Sequence, residues 1–205
     1  MPILNNYLNI TEVAELLDIH PGTVKRLCRG GKLAGEKVHN GWLIHNDILV
    51  ALQQAERLCA WYPHCGRSPS ENEIVSHIIL PLFLGLGWSH QQIAVEWNKV
   101  DVAFFKKTPT NAENCVMVLE AKGLGKPLSD VLDQPKSYVQ SLKLANVKHI
   151  LTTDGENLFV YEKSGNDWIS NPTGYLNVRT LQKQYVVPKN TSLVDTLVNL
   201  QPSAV

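Results

Sequence analysis

The chain lacks the features that mark secreted, membrane-spanning or metal-cage proteins. Its four cysteines, Cys28, Cys59, Cys65 and Cys115, include no CxxC pair, which excludes a dithiol redox motif and predicts free thiols rather than disulfides. Cys59, His64 and Cys65 match no ordinary zinc spacing and have no fourth ligand. The longest apolar run, Ile78 to Leu84, is broken by Pro81 and falls far short of the roughly 20 residues that cross a bilayer. Met1-Pro2-Ile3-Leu4-Asn5-Asn6 has no basic start followed by an apolar core, so no secretory signal is expected and a cytoplasmic location is the default. Gly-x-Ser-x-Gly is absent, and His77, His90 and His149 have no nucleophile at a recognisable spacing, which argues against a serine hydrolase. No phosphate-binding Gly-x-x-x-x-Gly-Lys motif occurs: Gly123-Leu124-Gly125-Lys126 runs into Pro127 without a leading glycine, so no ATP-driven activity is expected.

Net charge is also lacking, with 19 basic and 19 acidic residues, and a neutral chain has no overall field to draw in a polyanion. Charge is unevenly spread, however. Positions 20 to 45 hold Lys25, Arg26, Arg29, Lys32 and Lys37 against Glu36 alone, a net +4, which leaves −4 on the rest. With 205 residues of which 44% are hydrophobic, there is room for one ordinary domain and a smaller one, and the charge split predicts that they do different work.

Thr11 can cap a helix with Val13, Ala14, Leu16 and Leu17 at helical spacing. His20-Pro21-Gly22-Thr23 opens a second helix that Gly30-Gly31 closes. Two short helices this close predict a helix-turn-helix. Lys37-Val38-His39 and Trp42-Leu43-Ile44 flank Asn40-Gly41, the dipeptide that best favours a type I′ hairpin, and predict a wing. Asn46 or Asp47 then caps a third helix running to about Leu58. The stretch 61–69 contains Pro63, Gly66 and Pro69 without periodicity, so domains are expected at 1–60 and 70–205 with 61–69 as linker. Beyond it the pattern reads as a helix from Ser70 to Leu84, strands at 92–97, 100–105 and 115–122, a helix from about 128 to 144, strands at 149–153 and 158–162, and a closing helix at 192–200. That order predicts a mixed sheet flanked by helices.

Metal-dependent phosphodiester hydrolysis needs carboxylates that hold hard cations and a positive group near the attacking water. Asp101 lies near the start of one predicted strand. Glu120 and Lys122 end another, and their spacing of two puts them on one face. Composition alone yields about one acid-x-Lys triplet by chance, and the same residues also fit a structural ion pair, so context must decide. Here the triplet closes an apolar strand, where an unpartnered charge is costly.

In that context Ser70 to Glu162 resembles the N-terminal nuclease domain of type I restriction enzyme R subunits, a branch of the PD-(D/E)xK superfamily. The resemblance rests on ordered stretches: Ser70-Glu71-Asn72-Glu73 leading to Ile79-Leu80-Pro81-Leu82 and Leu86-Gly87-Trp88; Val100-Asp101; Val118-Leu119-Glu120-Ala121-Lys122; Gln134-Pro135-Lys136-Ser137-Tyr138; and Leu151-Thr152-Thr153-Asp154-Gly155. It implies a restriction-endonuclease-like α/β fold in which Asp101, Glu120 and a first-helix acid bind Mg²⁺, with Mn²⁺ as a substitute. Lys122 would activate or orient water, and Gln134 and Tyr138 would form the accompanying Gln-x-x-x-Tyr motif. Glu71 is preferred to Glu73 as the acid, because Glu71 shares the stripe of Ile74, Val75 and Ile78. Pro135 disfavours a helical Gln134, so that helix either starts there or kinks.

Residues 1–53, on Leu8 to Ile19 and Thr23-Val24-Lys25-Arg26, resemble the winged helix-turn-helix of excisionase and MerR-like proteins. The resemblance implies that Thr23, Lys25, Arg26 and Arg29 face DNA, that Val24, Leu27 and Cys28 pack inward, and that Lys37 and His39 let the wing touch phosphates. The expected activity is that of a DNA endonuclease in a restriction, defence or mobile-element setting. A non-catalytic DNA-binding regulator that keeps the fold, and a helix-turn-helix used for protein contact, remain open. Symmetric cutting needs two active sites, which is compatible with a homodimer or a restriction-complex subunit.

Overall fold

The computed structural model describes residues 7–17, 19–30, 33, 35–39, 41–45, 47–128, 130–165, 167–179 and 193–205. It begins with strand β1 (Tyr7–Leu8), helix α1 (Ile10–Leu16) and helix α2 (Pro21–Arg29). Asn9, rather than Thr11, caps α1: its Oδ1 accepts from the Thr11 and Glu12 amides, and Glu12 returns a carboxylate to the Asn9 amide. This reciprocal capping box satisfies more free donors than a threonine two residues further in could. In α2, Pro21 occupies the first position and His20 Nδ1 accepts from the Gly22 amide. Val24, Leu27 and Cys28 are buried.

Strands β2 (Gly35–Val38) and β3 (Gly41–His45) form the wing hairpin, and β1 adds to β3 to give the order β1-β3-β2. Val38 pairs with Gly41, so the turn begins at His39, one residue earlier than expected, and Asn40 lies outside the described residues. His39 takes φ +47°, the left-handed conformation that a type I′ turn demands.

Helix α3 (Asp47–Trp61) runs into a 3₁₀ turn at Tyr62–Cys65. Helix α4 (Glu71–Ile74), a π-helical turn (Val75–Ile79) and helix α5 (Leu80–Gly85) follow without interruption. Pro81 has no N–H to complete a normal turn, and the widened segment, closed by the Leu80 amide on the Val75 carbonyl, absorbs it. The start of α3 lies against the end of α5 so closely that a Cβ on Gly85 would meet Ile48 Cα at 2.9 Å. One apolar core runs from Val13 and Leu17 through Ile48 and Leu52 to Ile79 and Phe83. Helix-turn-helix and sheet therefore share side-chain packing.

The sheet comprises β4 (Ile93–Trp97), β5 (Val100–Phe105), β6 (Cys115–Ala121), β7 (His149–Thr153), β8 (Asn157–Ser164), β9 (Asp167–Trp168) and β10 (Gly174–Asn177). Its order is β10-β8-β7-β6-β5-β4 with β9 on β8, and β6–β7 is its parallel pair. Helix α6 (Asp133–Ser141) is shorter than the 128–144 expected, because Pro135 is tolerated only in a first turn. Helix α7 (Leu193–Asn199) closes the described chain, and Trp88 Nε1 donates to the Leu200 carbonyl at 2.8 Å. Strands β9 and β10 were not anticipated. Val102, Phe104, Met117, Leu119 and Leu151 pack toward α3–α5, whereas Ala103, Phe105, Val118 and Ile150 pack with Leu132 and Val139 beside α6. Period-two alternation therefore directs Asp101 and Glu120 to the α6 side.

Candidate functional site

At one end of the sheet the α6 face carries a charged group inside an otherwise apolar wall. Asp101 Oδ2 accepts the Ala121 amide at 2.7 Å, which ties the start of β5 to the end of β6. Lys122 Nζ lies 2.6 Å from Glu120 Oε1 and donates a longer bond of 3.4 Å to Gln134 Oε1. Gln134 Nε2 in turn donates to the Tyr138 hydroxyl at 3.0 Å, as the i, i+4 spacing on α6 allows. Glu120, Lys122, Gln134 and Tyr138 thus form one chain of side-chain contacts, and the Ala121 amide holds Asp101 at the same end of the sheet.

Glu120 is 1% exposed, and its Oε2 has no hydrogen-bond partner. Leaving a buried acceptor unmatched costs on the order of 1–3 kcal/mol, and more for a charged group. Burial pushes the Glu120 carboxyl above its usual range, against the pull of Lys122, and the charges of Asp101 and Glu71 push the same way. Burial likewise raises Asp101, opposed by the Ala121 amide and Lys122 and reinforced by Glu71 and Glu96. For Lys122, burial works against the ammonium, but the bond to Glu120 and the charges of Glu120, Glu71 and Asp101 outweigh it, so the amine is held above its ordinary value.

The two candidate first-helix acids part company. Glu73 closes a capping box with Ser70 and takes a two-pronged contact from Arg67 at 2.6 and 2.7 Å; these bonds lower its carboxyl to about 2. Glu71 heads α4 and acts on Asp101 and Glu120 through its charge. Among the described residues no three His, Cys, Asp or Glu side chains already stand as a metal cage. Glu71 therefore joins the expected trio by electrostatics rather than by shared ligand geometry.

Sequence reasoning missed Glu96. It sits at φ +53° between the pairs Val95–Val102 and Trp97–Val100, which places it across the ladder from Asp101 of β5. Its carboxylate accepts from Asn72 Nδ2 at 3.1 Å and adds charge near Asp101. No hydrophobic period signals such a residue. The one available hint was the Asn98-Lys99 turn, left-handed at both positions.

On the N-terminal unit, Lys25 and Arg29 of α2, Lys37 and His39 of the hairpin, and Gly41 and Trp42 of β3 line a groove of about 400 Å³. Lys25, Arg29, Lys37 and His39 are exposed. Arg26, also exposed, stands outside this groove, and Thr23 is half-buried. Arg26 and Arg29 in the last turn of α2 also suit the helix dipole.

These features define a winged helix-turn-helix joined to a mixed α/β sheet with a buried carboxylate–lysine group on one face. Residues 7–57 match the family model described as a helix-turn-helix domain, so the N-terminal unit is a helix-turn-helix domain. No curated protein and no solved structure matches the chain. Among the described residues no helix is long and apolar enough to cross a membrane.

Proposed function

We propose that the chain is a divalent-cation-dependent DNA endonuclease of restriction-endonuclease-like fold, brought to DNA by its helix-turn-helix. The observation that carries this reading is the Glu120–Lys122 pair at the end of β6, with Asp101 on the adjacent strand and Glu120 Oε2 buried without a partner. The order from α4 through β8, with β6 and β7 parallel, supports it as well.

The donor set fits a hard cation: it consists of carboxylate oxygens, one of them unmatched, in a setting where burial disfavours their charge. Asp101 and Glu120 would hold Mg²⁺ or Mn²⁺, with Glu71 adding charge from α4. A bound cation supplies Lewis acidity and a more acidic water. Lys122 stays protonated beside Glu120, so its role is to orient water and offset charge developing on the phosphate, not to accept a proton. Gln134 would hold Lys122 from the α6 side, itself oriented by the Tyr138 hydroxyl. Lys25, Arg29, Lys37 and His39 would contact phosphates from α2 and the wing, and so position the duplex.

Nicking of supercoiled DNA in Mg²⁺ or Mn²⁺, compared between wild type, Asp101→Ala and Lys122→Ala at equal folded concentration, tests this. Loss of cleavage in both variants supports the assignment. DNA binding without cleavage in either metal favours the second reading, a non-catalytic DNA-binding module, which the helix-turn-helix match over residues 7–57 also supports.

A further inference from the structure

The Glu120 carboxylate has an unmatched neighbour. In the parallel ladder Glu120 pairs with Thr152 of β7, so both side chains leave the sheet on the α6 face. Thr152 is fully buried, and its Oγ1, like Glu120 Oε2, has no hydrogen-bond partner. Burial raises the Tyr161 phenol and the nearby Thr152 hydroxyl opposes that rise, yet Thr152 Oγ1 makes no hydrogen bond of acceptable geometry to it. Two adjoining buried orphans of complementary type, an acceptor-only oxygen and a hydroxyl donor, are rare in native proteins, where such groups are almost always satisfied.

We propose that Thr152 is the positioning residue of this site: its hydroxyl donates to Glu120 Oε2 through one trapped water, and so fixes the orientation of the carboxylate that receives a divalent cation. This rests on the cation-site reading above. Thr152 touches no substrate and moves no proton. Its effect is to hold one rotamer of Glu120, leaving Lys122 to govern the other oxygen. A hydroxyl kept for packing alone would behave otherwise, because a valine of the same shape would remove an unsatisfied polar atom and only stabilise the fold.

The test measures Mn²⁺ affinity by calorimetry and metal-free melting temperature for the full chain as wild type, Thr152→Val, Thr152→Ser and Glu120→Gln. The expected result is that Thr152→Val lowers the metal-free melting temperature, because Glu120 Oε2 loses its donor, and weakens Mn²⁺ binding about tenfold, the lower end of what outer-shell partners contribute, while Thr152→Ser retains wild-type affinity. Wild-type affinity in Thr152→Val, alongside a loss in Glu120→Gln, overturns the role of Thr152 and leaves the cation site standing. If wild type itself binds no Mn²⁺, or Glu120→Gln binds it equally well, the cation-site reading falls and this proposal with it.

Discussion

Glu120 near the end of β6 and Lys122 just beyond it meet with their charged ends 2.6 Å apart, yet only one of the two carboxylate oxygens is engaged. The pair is therefore half-satisfied, with the cost of burial falling on the carboxylate. Breaking it from the lysine side leaves an uncompensated buried charge, which is far worse than never having had the pair. Lys122→Ala should cost about 3 kcal/mol in metal-free urea unfolding at neutral pH, a figure at the low end for buried pairs because Lys122 is itself partly exposed. Glu120→Gln, which removes the charge, should cost much less. Equal losses in the two variants would refute this account.

The pH dependence has a definite sign. Asp101 and Glu120 are both raised above their unfolded values, chiefly by burial. The folded state therefore binds more protons than the unfolded one, and stability drops as pH rises from the unfolded values of 3.8 and 4.5 through the higher folded ones. In EDTA the melting temperature should climb as neutral buffer is acidified toward that range. His149 works the other way, since burial lowers it below 6.5, so the diagnostic quantity is the difference between wild type and Glu120→Gln. Mn²⁺, which requires ionised ligands, should flatten or reverse the wild-type slope.

Glu71 and Glu73 should separate cleanly. Glu73 is committed to Ser70 and Arg67 at the start of α4, so Glu73→Gln should lower the melting temperature and leave Mn²⁺ affinity unchanged. Glu71→Gln should do the reverse, weakening Mn²⁺ binding with little thermal effect. A calorimetric titration of both variants decides the matter.

Much of this arrangement could be read from the sequence, and the failures have physical causes. Helix α2 was readable because Pro21 marks its start and Val24, Leu27 and Cys28 keep helical spacing. Glu71, on the Ile74 stripe, lies near enough to Asp101 and Glu120 for its charge to act on both. Strands β1 and β9 span two residues each and exist only through pairing with β3 and β8, so no local pattern announces them. The start of α6 at Asp133 was encoded in Pro135, as one of two conformations the proline permits. The meeting of Glu120 with Thr152, 32 positions away, is a matter of β6–β7 register, which alternation constrains only to a choice of face.

The groove between α2 and the wing gives a salt-dependent test. Lys25, Arg29 and Lys37 line it, whereas Arg26 does not. If the groove carries the phosphate contacts, Arg29→Ala should weaken duplex binding across unrelated sequences and reduce the slope of log affinity against log salt by about 0.9. Arg26→Ala should change that slope less. Fluorescence anisotropy over a salt series measures both, and identical slopes in wild type and Arg29→Ala would remove the groove from the interface.

The contact between α3 and α5 bears on whether the helix-turn-helix is free to swing. Gly85 faces Ile48 Cα at 2.9 Å and the Asp47 carbonyl at 3.0 Å from where a Cβ would stand, and backbone atoms cannot rotate aside as a side chain would. Nearby, Cys59 near the end of α3 donates its thiol to the Gly155 carbonyl in the β7–β8 turn at 3.5 Å, so α3 is anchored at both ends against the larger unit. Gly85→Ala should therefore cost about 1–3 kcal/mol, as overpacking typically does. Because the core is continuous from Val13 to Phe83, the loss should appear in a single unfolding transition followed by fluorescence and circular dichroism alike. Two separated transitions, with the Gly85→Ala effect confined to one, would show that the helix-turn-helix unfolds independently and that this contact does not couple it to the sheet.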